Sequence, residues 1–195
     1  MKQKWKGGAL LSPVPAVLVS CGSEENANLI TIGWTGIVCT QPPKLYISVR
    51  PERHSYGIIK ESGEFCVNLP TSEIVRAVDF CGVRSGKDTD KFKETKLTKE
   101  DSYEVSCVSV AECPLTLECK VSQIIPLGSH DMFIADIVAV AADERLIDKN
   151  GRLMLEKADL LAYAHGDYFT LGKKIGDFGF SVRKKKTTAA RKKKR

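Results

Sequence analysis

The chain has no long hydrophobic run. It contains no apolar stretch of the roughly 18 residues that a membrane-spanning helix needs, and its first eight residues lack the apolar core of a secretory signal. At 195 residues and 43% hydrophobic content, it is still long enough to bury a sizeable core. We therefore expect a cytoplasmic protein that does not contact a membrane.

Several nucleotide-binding and catalytic motifs are also missing. The sequence has neither the Gly-x-Gly-x-x-Gly fingerprint of a Rossmann domain nor a P-loop, and it has no Gly-x-Ser-x-Gly nucleophile elbow. Its three histidines, His54, His130 and His165, are too widely spaced for a metal pair on one helix. The sequence therefore gives no support for a Rossmann domain, a P-loop NTPase or a serine hydrolase. We also expect no metal site.

The sequence contains seven cysteines, an odd number, and it has no Cys-x-x-Cys motif. Nearly all lie inside apolar segments rather than at loop positions that a disulfide would connect. Free cysteine is among the most often buried residue types and packs as a small hydrophobe. We therefore expect buried, reduced thiols.

The net charge of +6 hides an asymmetry along the chain. Residues 183–195 contain nine Lys or Arg and no acid, which leaves 21 of the 30 basic residues against all 24 acidic ones, a net charge of −3 for residues 1–182. We expect residues 1–182 to form one domain and residues 183–195 a solvated, disordered tail. The alternative use of such a tail is contact with nucleic acid or another polyanion, which we rank below the solvated extension.

Short apolar segments separated by polar turns predict a mainly β structure. A hairpin should join residues 16–21 to the strand around Leu29, and a further strand should cover residues 45–49. The remaining expected elements are a helix at residues 56–62 ending at Gly63, a strand at Glu64–Leu69, a helix at residues 72–80 with Ser72 as its N-cap, and a polar loop at residues 82–90.

The clearest periodic signal lies in residues 115–122, where odd positions are apolar and even positions are polar. This alternation predicts a strand with one exposed face. The nearly continuous apolar run at residues 132–142, interrupted by Asp136, should pair with it as a long antiparallel partner. Because no repeated strand-helix-strand unit occurs, we expect an antiparallel barrel with a few short helices.

Residues 28–56 place small and polar side chains where a buried strand would carry aliphatic ones. Thr31, Gly33, Trp34 and Thr35 lie in a strand-like run, and a basic segment follows before the predicted helix. Such a run next to basic residues suggests a planar slot beside an anion site. A phosphorylated aromatic cofactor such as a flavin needs both.

Six stretches of this sequence, taken in order, resemble the flavin reductase-like family with the FMN-binding split barrel, and especially its flavoredoxin branch. They span most of residues 10–182, at residues 28–43, 45–51, 53–59, 63–70, 80–92 and 168–181. The resemblance implies a mainly β, antiparallel Greek-key split β-barrel with a few short helices. It also implies a homodimer that holds FMN noncovalently near the subunit interface and uses NAD(P)H without a Rossmann domain.

The resemblance also implies which residues contact the flavin ring. In the family, the matching strand lines the isoalloxazine, and here Thr31, Gly33, Trp34 and Thr35 occupy its positions. Glycine permits close approach to a flat ring. The alternative is an ordinary barrel strand with an interfacial Trp. Ser48 is a further candidate cofactor-binding residue. Cys39 stands where relatives often have Ser, so it either contacts the cofactor or is a core residue.

Arg50, Arg53, His54 and Ser55 are candidate ligands of the FMN phosphate, because the start of the following helix favours an anion. Alternatively, Ser55 is only an N-cap and the two arginines are a solvated rim.

A second candidate segment lies in the polar loop after the second predicted helix. Ser85, Gly86 and Lys91 are candidates for closing over the cofactor or its ribityl phosphate. The alternative is a mobile surface loop.

His130 lies in the turn before the long apolar strand, where relatives carry a His near the flavin and the nicotinamide. Because a histidine in water has a pKa of about 6.5, this side chain is suited to proton exchange near neutral pH, and it is our candidate catalytic residue. The alternative is a solvent-exposed turn His.

Three functions follow as hypotheses. The first is an oxidoreductase that passes electrons from NAD(P)H through FMN to free flavin, ferric iron or a partner protein. The second is a flavoredoxin-type electron carrier reduced by a redox protein donor. The third is a polyanion-binding module that acts through the basic tail.

Overall fold

The structure is a computed structural model in which residues 1–183 are described, so the predicted basic tail lies, from residue 184 onward, outside the described residues. The described part contains twelve strands and three short α-helices. The strands are β1 (Val14–Pro15), β2 (Val17–Cys21), β3 (Asn28–Ile32), β4 (Thr35–Thr40), β5 (Pro43–Val49), β6 (Glu64–Leu69), β7 (Lys99–Glu100), β8 (Ser109–Val110), β9 (Leu115–Pro126), β10 (Asp131–Ala142), β11 (Leu161–Ala164) and β12 (Asp167–Thr170). The helices are α1 (His54–Ser62), α2 (Val75–Val83) and α3 (Lys91–Thr95).

Most of the expected elements are present. The β2–β3 hairpin is antiparallel, β6 has the predicted bounds, and β9 and β10 form the expected long antiparallel pair. Helix α1 begins two residues earlier than predicted. It ends as predicted, because Gly63 adopts a left-handed conformation with φ of 70° and donates its N–H to the Ile59 carbonyl.

Seven strands form one antiparallel sheet in the order β3-β2-β6-β9-β10-β5-β4. Although β3 and β4 lie at opposite ends of this order, only Gly33 and Trp34 separate them in the chain. A flat sheet would place its end strands about 29 Å apart at a spacing of about 4.8 Å, whereas three Cα–Cα steps cover at most about 11 Å. The sheet therefore has to curl into a barrel, as the sequence predicted.

Strand β2 separates two hydrophobic cores because its side chains alternate between its faces. Val17 and Val19 belong to the core inside the barrel, together with Phe65 and Phe133. Leu18 belongs to the core outside it, which is formed with helices α2 and α3 and the segment leading into β9. The barrel wall is consequently buried on both faces at β2.

The expectation of an exposed face on β9 is confirmed at Lys120 and Ser122 but is wrong in the first half of the strand. Thr116 and Glu118 occupy even, polar positions of the alternating pattern, yet both are buried. The segment at residues 101–110 covers them, and the Glu118 carboxylate accepts hydrogen bonds from the backbone N–H groups of Tyr103 (2.9 Å) and Glu104 (2.7 Å). The Glu118 carboxylate is thus satisfied by backbone donors rather than by water.

Asn68 is the centre of a second buried polar group on the same face of the sheet. Its amide nitrogen donates to the Leu18 carbonyl (3.0 Å) and the Ser20 hydroxyl (2.9 Å). Its oxygen accepts from the Val110 N–H (3.0 Å) and the Thr116 hydroxyl (2.9 Å). One side chain therefore connects four segments of the fold.

The prediction that Ser72 caps a helix at residues 72–80 is also wrong. Residues Ser72–Ile74 form a 3₁₀ turn, α2 starts at Val75, and Ser72 makes no capping hydrogen bond. The Ser72 hydroxyl instead donates to the Asp159 carboxylate, so a tertiary contact replaces the local one.

The expectation for the cysteines is confirmed for six of the seven. All seven are free, and all except the half-buried Cys39 are buried. In residues 1–183, no helix is long and apolar enough to cross a membrane, and no cluster of His, Cys, Asp or Glu suits a metal ion.

Replacing Asn68 by Ala should lower the free energy of unfolding by about 2–4 kcal/mol, because it leaves the Val110 N–H and the Thr116 hydroxyl buried without partners. Urea denaturation followed by circular dichroism measures this loss. The control is Asn150→Ala in an exposed turn, which should change stability by less than about 0.5 kcal/mol. Equal effects of the two substitutions would contradict the structural role of Asn68.

Candidate functional site

A cavity of about 400 Å³ lies where β3 passes into β4. Its walls come from four parts of the fold: β3 with the Gly33–Trp34 link, the end of β5 with the turn that follows, the last turn of α2, and the β11–β12 hairpin. His130 contributes from the turn between β9 and β10. Seven of the candidate residues from the sequence line this cavity, namely Thr31, Gly33, Trp34, Ser48, Arg50, Arg53 and His130.

The Gly33–Trp34 link is fixed to the neighbouring strand by its backbone. The Ser48 N–H of β5 donates to the Trp34 carbonyl at 2.9 Å. The Trp34 side chain is 47% exposed and lies against His130, with ring centroids 4.5 Å apart and planes inclined by 43°. Two aromatic rings thus stand together at the edge of the cavity.

The surroundings of His130 favour its neutral form. Burial and the positive charge of Arg50 lower the pKa of the imidazole below its ordinary value. Its Nδ1 atom lies 3.0 Å from the Ser129 hydroxyl oxygen. A neutral imidazole can both donate and accept hydrogen bonds.

Two arginines give the cavity its positive charge. The Arg53 guanidinium donates through Nη2 to the Gly82 carbonyl at 2.7 Å, which fixes it to the last turn of α2. Arg50 pairs with Glu52 at 3.1 Å, and both of these side chains are largely exposed. A guanidinium carries five N–H donors, so one such hydrogen bond leaves further donors for an anion.

Thr31 fixes helix α2 to the barrel. Its hydroxyl donates to the Val78 carbonyl, and a Cβ added at Gly82 would lie 3.3 Å from the Thr31 Cβ. Thr31 therefore lines the cavity, but its hydroxyl proton is already donated within the protein, which leaves it as an acceptor for any ligand.

Two of the expected flavin-ring contacts lie outside the cavity. The Thr35 hydroxyl donates to the Tyr46 carbonyl at 2.6 Å and so connects β4 to β5. Cys39 lies farther along β4, where its thiol donates to the Gln41 carbonyl at 3.5 Å. Neither Thr35 nor Cys39 is among the residues that line the cavity. A flavin contact of either side chain stays a prediction from the resemblance alone.

Of the candidate phosphate ligands, His54, Ser55 and Gly86 are not among the residues that line the cavity. His54 and Gly86 line a separate surface depression next to α1. Ser55 is buried, and its hydroxyl accepts a hydrogen bond from the Asn28 amide at 2.7 Å rather than capping α1. Gly86 packs directly over Asn28, where a Cβ atom would clash with the amide.

The remaining loop candidates have internal partners. The Ser85 hydroxyl accepts a hydrogen bond from the Lys87 N–H at 3.2 Å and is exposed. Lys91 is buried, and its ammonium donates to the carbonyls of Leu29 (2.6 Å) and Cys81 (2.8 Å). Burial lowers the pKa of Lys91 to about 8. The geometry gives Lys91 the role of joining β3 to α2.

Three polar side chains of the cavity, those of Asp79, Tyr163 and Tyr168, were not among the candidates from the sequence. The rings of Tyr163 and Tyr168 meet edge to face with centroids 5.4 Å apart on the β11–β12 hairpin, and the Tyr168 hydroxyl donates to the Asp79 carboxylate at 3.3 Å. Burial raises the pKa of Tyr168 to about 12, and the Asp79 charge adds to this effect. Tyr168 begins a stretch that carried the family resemblance, whereas Asp79 gave no sequence signal.

The comparisons with known proteins agree with this architecture. The chain matches the family described as flavin reductase like domain over residues 10–172. It is 29% identical over 160 residues to an uncharacterized protein of Archaeoglobus fulgidus, an alignment that covers 82% of this chain and 89% of that protein.

Two solved structures show the same fold. Flavoredoxin of Desulfovibrio vulgaris (Miyazaki F) superposes with a TM-score of 0.87 at 29% identity, covering 94% of this chain and 100% of that one. Flavoredoxin from Methanosarcina acetivorans superposes with a TM-score of 0.83 at 26% identity, with the same coverage. The expected split-barrel fold is confirmed, and the chain belongs to the flavin reductase like domain family.

Proposed function

We propose that this protein binds FMN noncovalently in the cavity and passes electrons from NAD(P)H through it to an acceptor such as free flavin, ferric iron or a partner protein. One observation carries the proposal: the Gly33–Trp34 link and the two arginines, Arg50 and Arg53, border the same cavity. A surface for a flat ring and a site for a phosphate thereby adjoin each other.

The cavity fits FMN in size and chemistry. Its volume of about 400 Å³ lies within the range of small-molecule sites. Arg53 is half-buried and held in place by the Gly82 carbonyl, so its remaining donors are preorganised for a phosphate. Within residues 1–183, Asp79 is the one acidic side chain that lines the cavity, and it accepts a hydrogen bond from Tyr168 of the β11–β12 hairpin.

The protein's own residues supply binding and orientation. Trp34 and His130 form an aromatic edge of the cavity. Because the His130 Nδ1 contacts Ser129, Nε2 is the ring nitrogen for a ligand, where the neutral imidazole holds or exchanges a proton. The two-electron chemistry itself comes from the flavin when it is bound.

The second candidate is an electron carrier that takes electrons from a redox protein instead of NAD(P)H. The similarity to two solved structures named flavoredoxin favours it. Both candidates use the same FMN site and differ only in the electron donor. The polyanion-binding hypothesis depends on the tail at residues 183–195, which lies outside the described residues from residue 184 onward.

Arg53→Gln should weaken FMN binding by roughly ten- to a hundredfold, because one charged hydrogen-bond partner of the phosphate is lost. The same substitution should leave the affinity for riboflavin, which has no phosphate, unchanged. Quenching of flavin fluorescence measures both dissociation constants. Arg152→Gln is the matched control, since Arg152 is exposed and pairs with Glu156 at 3.1 Å.

Equal losses for FMN and riboflavin in the Arg53 variant would show that Arg53 acts only by holding Gly82, not by binding phosphate. A wild-type protein that binds neither flavin would overturn the proposed function.

Anaerobic mixing of the FMN-loaded protein with NADH or NADPH should remove the visible absorbance of the oxidised flavin. In protein saturated with FMN, His130→Gln should slow this reduction by about tenfold or more, because the variant side chain cannot exchange a proton as the imidazole does. His165→Asn, in an exposed turn with φ of 56°, is the control. Stopped-flow absorbance measures the rates.

Reduction by reduced ferredoxin, with no reduction by either nicotinamide, would favour the electron carrier over the reductase. If neither donor reduces the bound flavin, both candidates fail.

The predicted homodimer has a candidate surface in the edge strand β4. A bulge disturbs the pairing of β4 with β5, and Ile37 and Val38 are 61% and 49% exposed. Val140 of β10 is also exposed. The C-terminal segment adds further exposed apolar side chains at Leu171, Ile175, Phe178, Phe180 and Val182. Adjacent exposed apolar residues such as Ile37 and Val38 are typical of an interface.

Ile37→Glu should therefore convert the dimer into monomers, because it buries a charge in the interface. Light scattering after size exclusion should give twice the chain mass of 21.5 kDa for the wild type and the chain mass for the variant. Tyr103→Glu, on the exposed segment outside the barrel, should remain dimeric. A monomeric wild type would contradict the prediction.

A further inference from the structure

Two cysteines from distant parts of the chain meet on the outer face of the barrel. The Sγ atoms of Cys66, in β6, and Cys107, in the segment before β8, lie 3.5 Å apart. The neighbours of Cys66 in β6, Phe65 and Val67, face the barrel core, so the pair lies on the opposite face. Forming a disulfide requires the sulfur atoms to approach to about 2.05 Å.

The surroundings of the pair are polar. The Ser102 hydroxyl oxygen lies 3.3 Å from the Cys66 sulfur and donates to the Cys107 carbonyl at 2.6 Å. The Cys107 thiol, by donating to Cys66, lowers the pKa of Cys66, while this same hydrogen bond raises the pKa of Cys107. Cys66 is thereby the better candidate for the thiolate, which is the reactive form.

The covering segment at residues 101–107 is held mainly by hydrogen bonds, because four of its seven residues are exposed. Its main anchors are the hydrogen bonds from backbone N–H groups to Glu118 and those from Ser106 to Glu64. Tyr103, in its middle, is 80% exposed. Segments with exposed backbone and few apolar contacts open at low free-energy cost, which gives a reagent access to the two thiols.

We propose that Cys66 and Cys107 form a reversible intramolecular disulfide when the protein meets a small-molecule disulfide such as oxidised glutathione. One thiolate attacks a sulfur of the reagent, forms a mixed disulfide and releases one reagent thiol. The second protein thiol, after losing its proton, displaces the other reagent thiol. The protein loses two electrons and two protons and gains one S–S bond, and the reagent is reduced to two thiols.

The new bond would fasten the covering segment to β6. It closes a loop between residues 66 and 107, which lowers the entropy of the unfolded chain. We expect the oxidised protein to melt at a temperature several degrees higher than the reduced protein. The inference does not depend on flavin binding, because the pair lies outside the barrel.

The test uses the full chain incubated with oxidised glutathione, followed by alkylation of the remaining thiols under denaturing conditions and mass spectrometry. Five of the seven cysteines should be alkylated. Cleavage after glutamate separates Cys107 from Cys113 and Cys119, because Glu104, Glu112 and Glu118 lie between them or beside them. The expected product links the peptides of residues 65–73 and 105–112.

The matched variants are Cys107→Ser, which should show no such linked peptide, and Cys113→Ser, which should retain it. Alkylation of all seven cysteines in the wild type, under conditions that fully oxidise a reference dithiol peptide, would overturn the proposal. A linkage through any other cysteine, or an unchanged melting temperature after complete oxidation, would also contradict it.

Discussion

The two-residue link between β3 and β4 forces the seven-stranded sheet to close into a barrel. The two strands at the ends of the seven-stranded sheet are consecutive in the chain, so the sheet has to close, and it closes at Gly33 and Trp34. The hydrogen bond from the Ser48 N–H to the Trp34 carbonyl joins the link to β5. The candidate site lies at this closure, where regular strand pairing is interrupted and a backbone edge is accessible.

On the outer face of the barrel wall, buried polar side chains need hydrogen-bond partners. Central strands carry polar side chains there, and each finds a partner in the segment that covers it: Asn68 with Val110, Glu118 with Tyr103 and Glu104. Within residues 1–183, no buried side-chain nitrogen or oxygen lacks a hydrogen-bond partner. Such a network specifies which segment covers the sheet, since any other would leave these groups unsatisfied.

The sequence predicted those elements whose signals are local. The α1 terminus at Gly63 and the bounds of β6 follow from a left-handed glycine and a short apolar run. It failed where tertiary contacts override the pattern. Glu118 has the spacing of a solvent-exposed residue, but a covering segment buries it, and Ser72 bonds to Asp159 instead of capping a helix. Neither partner is near in sequence, so no local pattern reveals the contact.

The residues of the site also divide into those that the sequence predicted and those that only the fold brings together. Residues contiguous in the chain, from Thr31 to Arg53, were predicted as a group, and most of them reach the cavity. Asp79 and Tyr168 arrive from α2 and the β11–β12 hairpin, and only the fold brings them together. Lys91 and Ser55, both predicted as ligands, are used to join β3 to the helices around it. Through these hydrogen bonds they position β3, which lines the cavity.

We propose that closure of the barrel at Gly33 and Trp34 builds a flavin site. A crystal structure of the protein grown with FMN tests it most directly. We predict density for the flavin ring system against the Gly33–Trp34 link, with the phosphate within hydrogen-bond distance of the Arg53 or Arg50 guanidinium. Flavin density at any other place on the protein, with this cavity left empty, would contradict the account.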